Sequence, residues 1–258
     1  MWLPSKSLLL RAVLPLLLSG LQAARAAAQE VDEAGWAFTA VPYVWFTSVE
    51  GDVATIRGIP PAEVDARFGD ILDNADFAFM GYFEGRRDRW GFSADLLYMD
   101  ISADGNGPIP AFSKTEMDFK AFTGTFGPFY RAVQEESFTL DVMAGARLWV
   151  TDTELTLKSN TGPGQSNDEK ETWADPIIGM RAAFAATDSV SVKGLADVGG
   201  FGAASDITYQ LMAAVSYAFT PSISADLGYR YLKVDYEDDG FVLNTAFQGP
   251  IVGMVIRF

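Results

Sequence analysis

Charged residues of both signs recur inside otherwise apolar segments of the chain, where their side chains could do chemistry. Carboxylates in such segments could bind cations or exchange protons, whereas neighbouring guanidinium and ammonium groups would neutralise them. Because unpaired charge is costly in an apolar interior, we expect a structural network of ion pairs. The alternative is a narrow water-filled path whose surplus of carboxylates favours cations. The predicted network comprises Glu84, Asp95, Asp118, Lys120, Asp141, Arg147, Asp175, Arg181, Lys193, Asp197, Asp226 and Arg230.

Histidine and cysteine are both absent from the 258 residues. This excludes Ser-His and Cys-His nucleophiles, His-ligated zinc and disulfide staples. Paired carboxylates such as Asp95 and Asp118 could perform acid–base catalysis, but any acidic interior offers such pairs. We therefore predict no catalytic, cofactor-binding or metal-ligating residues and do not expect an enzyme. A membrane enzyme that uses interior carboxylates is the remaining catalytic alternative.

The overall charge narrows the range of partners. The chain has 19 Lys and Arg against 34 Asp and Glu, which gives a net charge of −15 at pH 7. Such an acidic surface repels phosphate backbones. Nucleic acid is therefore not an expected partner.

The first 28 residues differ in composition from the rest of the chain. A basic start, a short apolar run over residues 8–21 and three alanines at 26–28 have the pattern of a secretory signal. The run is shorter than the roughly 20 residues that a membrane-spanning helix needs, and it contains Arg11. We predict a cleaved signal peptide over residues 1–28 and a single exported domain over residues 29–258.

From Trp36 onward, apolar residues alternate with small or polar ones. A period of two is typical of β-strands that have one apolar face. In the clearest run, 207–219, Leu211 belongs to the apolar set and Gln210 to the polar set. The pattern predicts ten strands, with eight or twelve as alternatives, over residues 36–48, 76–86, 90–99, 115–131, 138–151, 172–186, 189–201, 207–219, 223–232 and 241–258.

The connections between these strands alternate in length. This is typical of transmembrane barrels, in which periplasmic turns are short and outer loops are long. Within the first long connection, helical spacing from Pro60 to Asp76 predicts an amphipathic helix that caps the loop or plugs the barrel. The short connections lie near 87–89, 133–136, 187–188 and 220–221, and the long ones at 50–75, 103–114 and 152–171.

A soluble β-sandwich would also alternate, but its outer face would be charged. Here the charged positions share a face with small residues and lie opposite the large apolar side chains. Lipid tolerates few charges and no unpaired backbone edge, so a sheet of this kind must close on itself to span a bilayer. The sequence therefore predicts an all-β, antiparallel, up-and-down transmembrane β-barrel.

The C-terminal part of the chain carries a family resemblance. The last strand ends at Phe258, with apolar residues at alternate positions behind it, and resembles the signal that outer-membrane barrels present to their insertion machinery. The resemblance implies the fold and the location but brings no catalytic residues. Residues 173–258 resemble a family of Gram-negative outer-membrane β-barrel proteins at Trp173-Ala174-Asp175-Pro176, at Ala196-Asp197-Val198-Gly199-Gly200-Phe201-Gly202, at Gly228-Tyr229-Arg230-Tyr231-Leu232 and at Gly249-Pro250.

These observations together predict an integral outer-membrane protein with a structural or surface-exposed role. A porin-like channel for small solutes is one alternative, and an adhesin that acts through residues 50–75 and 152–171 is another. The expected partners are outer-membrane lipid and the insertion machinery.

Overall fold

A computed structural model describes residues 35–54, 61–69, 75–106, 112–159 and 165–258. The predicted signal peptide over residues 1–28 lies outside these ranges. No α-helix in the described part of the chain is long and apolar enough to cross a bilayer. The described ranges contain β1 (Trp36–Trp45), β2 (Ser48–Ala54), β3 (Ala62–Ala66), β4 (Ala75–Arg87), β5 (Trp90–Asn106), β6 (Phe112–Gln134), β7 (Phe138–Ser159), β8 (Gln165–Ala185), β9 (Val190–Gly200), β10 (Ile207–Ala218), β11 (Ile223–Asp238) and β12 (Phe241–Arg257).

Ten of these strands, β1 and β4 to β12, form a closed antiparallel cylinder. Each pairs with its neighbour in chain order, and β1 pairs with β12 from Thr39–Arg257 to Trp45–Ile251 to close the ring. Strand β2 continues along β12 beyond β1, and β3 pairs with β2 at the rim. Closure removes the unpaired backbone edges that lipid does not tolerate. The predicted ten-stranded up-and-down barrel is confirmed.

The wall has its apolar face outside. On β10, Leu211 is 53% exposed, whereas the adjacent Gln210 is only 4% exposed. The apolar side chains of this alternating set therefore face outward and do not share an interior, which contradicts the β-sandwich alternative. The same outward exposure holds for Val44, Phe83, Phe92, Val142, Ile178, Met180, Val192, Val215, Leu227, Tyr229 and Val252.

The two ends of the barrel differ. At one end, which we call the turn end, the connections at 88–89, 135–137, 186–189 and 219–222 are short, as predicted. At the other end, the hairpin end, β6, β7 and β8 run for 23, 22 and 21 residues. A strand crosses a bilayer in about 9–11 residues, so these three strands extend well beyond it. Strands β11 and β12 are joined there by Asp239-Gly240, both with positive φ, as a two-residue hairpin turn requires.

Two sequence predictions about the hairpin end are wrong. The connections expected at 103–114 and 152–171 are mostly strand, because β5 to β8 continue their paired backbone hydrogen bonds through them. The helix expected from Pro60 to Asp76 is replaced over Ala62–Ala66 by β3. Backbone pairing with β2 outweighs the weak helical spacing of the side chains there.

A charged row marks the limit of the apolar outer face at the hairpin end. Directly opposed residues of antiparallel strands share a face, and Asp100, Lys120, Asp152 and Lys170 lie opposite one another on β5 to β8. The outward residue before Asp152 on β7 is Val150, which is exposed and apolar. The membrane-facing band thus ends below this row. At the turn end the outer face carries the aromatic residues Trp36, Phe38, Trp90, Tyr217 and Phe219, as expected of an interfacial girdle.

Candidate functional site in the barrel lumen

The hairpin-end half of the lumen is filled by apolar side chains, which we call the apolar plug. Trp149 on β7 and Phe247 on β12 belong to strands on opposite sides of the ring, yet their ring centroids are only 6.2 Å apart. Trp173 stacks on Tyr236 at 3.9 Å and on Trp149 at 5.7 Å. The plug comprises Tyr43, Trp45, Leu97, Met99, Trp149, Trp173, Leu232, Val234, Tyr236, Phe241, Leu243, Phe247 and Ile251.

Little space remains inside the plug. The cavity between Trp45, Trp149 and Phe247 has a volume of about 20 Å³. This is room for roughly one water molecule and not for a continuous water column. The wall side chains therefore close the lumen at this level.

The turn-end half of the lumen is hollow. It holds a cavity of about 660 Å³, which we call the turn-end cavity. The cavity runs from Ala37 and Phe258 at the end of the barrel to Asp95, Asp197 and Arg230 below the plug. Its size falls within the range of roughly 300–1,000 Å³ that small-molecule sites occupy.

Arg230 bridges the lumen between the cavity and the plug. Its Nη2 lies 2.8 Å from Asp95 Oδ2 on β5, four strands away around the ring. It also donates to Tyr43 Oη at 2.9 Å and to Gln210 Oε1 at 3.0 Å. Tyr43 donates in turn to Asp95 Oδ1 at 2.7 Å. The guanidinium lies 4.8 Å from the Trp45 ring, so it joins the polar layer to the plug.

Arg181 makes a second cross-lumen bridge nearer the turn end. Its Nη1 lies 2.6 Å from Glu84 Oε2 on β4, again four strands away, and also donates to Tyr82. Its Nε lies 2.9 Å from Asp141 Oδ2, and the guanidinium stacks 4.0 Å over the Phe129 ring. The structure places Glu84, Asp141 and Arg181 in one connected group.

Two further pairs, formed by residues of the predicted network, lie along the wall. Arg147 is fully buried and contacts Asp197 at 2.8 Å, and it donates to Thr125 and Thr208 at 3.1 and 3.0 Å. Lys193 contacts Asp226 at 2.8 Å. Each acid in these pairs is matched by a cation on a strand two places away.

Asp175 is satisfied without a cation. It is fully buried and accepts hydrogen bonds from the Ser205 backbone N at 2.8 Å and from Ser205 Oγ at 2.7 Å. Trp173 Nε1 donates to the same hydroxyl at 3.0 Å. The short β9–β10 connection is thereby held against the plug.

Asp118 and Lys120 do not belong to the lumen, which corrects the sequence prediction. Lys120 is opposed to Asp100 and Asp152 on the outer face, is 52% exposed on its side chain, and pairs with Asp100 at 3.8 Å. Asp118 is exposed on the same face and accepts a hydrogen bond from Ser102 Oγ at 2.6 Å. Asp95 and Asp118 thus lie on opposite faces and cannot act as a catalytic pair.

The outer row contains the exposed ion pair of Lys170 and Asp152, which are 3.0 Å apart. The hydrogen bond and charge of Asp152 raise the pKa of the Lys170 ammonium above its usual value. Because this pair lies in water beyond the apolar band, it contributes little to stability.

Sequence reasoning missed several residues of the lumen. Arg131 chelates Asp141 with Nε at 2.7 Å and Nη2 at 3.0 Å. It stands at a register irregularity between Arg131 and Val133, where alternation no longer assigns a face reliably. Arg86 and Arg257 also line the turn-end cavity. The sequence could have predicted the inward position of Arg86, since this residue continues the alternation of Tyr82 and Glu84.

Several solved structures resemble the chain, and all of those named here are outer-membrane β-barrels. The translocator domain of the autotransporter NalP from Neisseria meningitidis is 11% identical, with a TM-score of 0.38, over 96% of this chain and 98% of that one. Neisserial surface protein A is 16% identical, with a TM-score of 0.34, over 87% and 97%. The attachment invasion locus protein Ail of Yersinia pestis is 13% identical, with a TM-score of 0.32, over 87% and 99%.

No family model matches the chain, and no curated protein matches it significantly. The structural likenesses are too distant to carry any functional argument. The membrane assignment therefore rests on the chain's own closed wall and apolar outer face.

The charged side chains of the lumen are arranged mainly as matched pairs. The cavity acids Glu84, Asp95, Asp141 and Asp226 each contact a guanidinium or ammonium group. Within the described residues, no cluster of acidic side chains has the arrangement of a metal site. The cavity is lined by five acids and six cations, so the expected surplus of carboxylates is absent at this level.

Proposed function

We propose that the protein is an integral outer-membrane protein with a sealed lumen, which anchors the extended strands β5 to β8 at the cell surface. The observation that carries this proposal is the apolar plug, in which Trp149 and Phe247 meet from opposite sides of the ring. A conducting pore needs a continuous path of water, and the plug interrupts that path.

The orientation follows from the two ends of the barrel. Short turns face the periplasm in barrels of this class, so the turn end faces inward and the long strands project outward. The charged row of Asp100, Lys120, Asp152 and Lys170 would then stand at the outer boundary of the bilayer. Export through a cleaved signal over residues 1–28, and insertion through the last strand with Phe258, complete the proposal.

The role proposed for the surface strands is structural or adhesive and not enzymatic. The chain has no histidine or cysteine, and the cavity carboxylates are bound by cations. Outer-membrane lipid is the expected partner of the apolar band, and nucleic acid is not expected.

Single-channel recording of the refolded protein in planar bilayers tests the sealed lumen. We expect no conductance steps above background for the natural sequence. The paired change Trp149→Ala and Trp173→Ala should produce steps, because it removes the rings that meet in the plug. The matched control Phe92→Ala and Val150→Ala removes apolar bulk from the outer face and should stay silent.

Regular steps from the natural sequence would contradict the sealed lumen and would favour the second candidate, a narrow passage for small solutes. That candidate has one supporting observation, the volume of the turn-end cavity, about 660 Å³. Reversal potentials in a salt gradient would then report whether cations are preferred.

A further inference from the structure

Two arginines at the mouth of the turn-end cavity make no ion pair within the described part of the chain. Arg86 donates to the Asp88 carbonyl at 2.7 Å, and Arg257 donates to Ser224 Oγ at 2.9 Å. Among the described residues, neither forms an ion pair with a carboxylate, the terminal one of Phe258 included. The other cationic groups of the cavity, on Arg131, Arg181, Lys193 and Arg230, each contact an acid.

The two arginines that lack a described carboxylate partner flank a single strand. Arg86 on β4 lies opposite Ala37 of β1, and Arg257 on β12 lies opposite Thr39 of the same strand. Their backbones are therefore two strand spacings apart across the sheet and two residues apart along it, about 12 Å in all. One anionic group between them could receive hydrogen bonds from both side chains, which are long and planar at the tip.

The wall next to these arginines is apolar. The inward side chains of β1 and β12 that line the cavity include Val41, Ile251 and Val255. Met143 and Met212 line it from β7 and β10. A site with a few convergent charged groups and an otherwise apolar lining is typical of small-molecule pockets.

We propose that the turn-end cavity binds a small organic anion, whose charged group lies between Arg86 and Arg257 and whose apolar body lies along the wall of β1 and β12. The ligand class is a carboxylate that carries an apolar body. The site is independent of the surface role, because it faces the opposite end of the barrel and lies behind the plug.

Methionine methyl NMR of the protein in lipid nanodiscs provides the test, with 4-phenylbutyrate as the probe. The methyl signals of Met143 and Met212 report on the cavity. Met180, which is 55% exposed on the outer face, reports on probe that merely dissolves in lipid. We expect saturable shifts of Met143 and Met212 and no shift of Met180.

Further probes test the contributions of the ligand's charged group and of its apolar body one at a time. The neutral 4-phenylbutanamide and the cationic 4-phenylbutylamine keep the body and should bind at least about tenfold more weakly, because a charge-assisted contact is lost. Acetate keeps the charge without the body and should also bind more weakly. Equal shifts from the amide and the carboxylate would overturn the proposal.

The variants Arg86→Gln and Arg257→Gln should each weaken binding of 4-phenylbutyrate about tenfold, and the double variant more. Arg87→Gln is the matched control, because Arg87 is exposed on the same turn and does not line the cavity. Methyl spectra of the variants without probe that match the spectrum of the natural sequence would show that the variants fold. Absence of shifts at Met143 and Met212 in the natural sequence, or equal binding by the double variant, would overturn the site.

Discussion

Replacing Arg230 with methionine removes the cation that bridges β11 to β5 and β1. Arg230 is 4% exposed on its side chain and contacts Asp95, whose side chain is 17% exposed. Removal of one partner from a buried ion pair costs about 3–5 kcal/mol. Because Asp95 lines the turn-end cavity, which is large enough to admit water, the carboxylate can be partly solvated, and we expect the lower end of that range, about 3 kcal/mol.

The loss should be specific to the pair. In the double variant Arg230→Met with Asp95→Asn, the uncompensated carboxylate is gone, and we expect a coupling free energy of about 1–3 kcal/mol. Urea titrations in phospholipid vesicles, followed by tryptophan fluorescence, give the free energy of unfolding of each variant. Arg87→Met is the control for loss of an exposed arginine. A cost below about 0.5 kcal/mol for Arg230→Met, or additive costs in the cycle, would refute the cross-lumen bridge.

Three further predictions use the same unfolding assay. Leu211→Arg should cost about 2–4 kcal/mol because this side chain faces lipid within the span, whereas Phe219→Arg at the turn end should cost about 0–1 kcal/mol; equal costs would contradict the membrane placement. Gly127→Ala should destabilise the protein by about 1–3 kcal/mol, because the added Cβ would lie 2.2 Å from the Ala144 carbonyl oxygen. Gly194→Ala should be tolerated, because its Cβ would meet a single atom, at 3.9 Å. A larger cost for Gly194→Ala than for Gly127→Ala would show that the β6–β7 contact is misplaced. Lys170→Gln should leave the free energy of unfolding unchanged at physiological salt, since the pair with Asp152 is exposed and screened; a clear loss that does not depend on salt would place that row inside the bilayer.

The fold was predictable because the lipid imposes a two-residue period on every strand that crosses it. Leu211 must face the acyl chains and Gln210 must not, so local alternation alone assigns both faces and the number of strands. Beyond the bilayer, both faces of a strand meet water or polar groups, and the alternation disappears. For that reason the extensions of β7 and β8 resembled loops in the sequence.

The same limit explains the two misplaced charges. Within the span a charge marks the inward face, but Asp118 and Lys120 lie beyond the band, where charge is equally stable outside. The sequence prediction assumed an inward face for charges beyond the apolar band as well, and therefore placed Asp118 and Lys120 in the lumen.

Contacts across the lumen were not predictable from the sequence. Trp149 and Leu232 share their strand faces with Arg147 and Arg230, yet their meeting in one plug depends on the stagger of the strands around the ring. The partners of Arg181 and Arg230 four strands away depend on the same stagger. The alternation within a single strand contains no information about this stagger.

The inside-out wall is the claim on which every other statement depends, and spin-label accessibility measures it most directly. The chain has no cysteine, so single cysteines at Leu211 and Val215, and at Gln210 and Ala214, can carry nitroxides without background labelling. In lipid vesicles we predict high oxygen accessibility and little access for a water-soluble relaxant at 211 and 215, and low oxygen accessibility at 210 and 214. Oxygen protection at 211 and 215, as expected if those side chains packed into a shared protein core, would contradict the barrel.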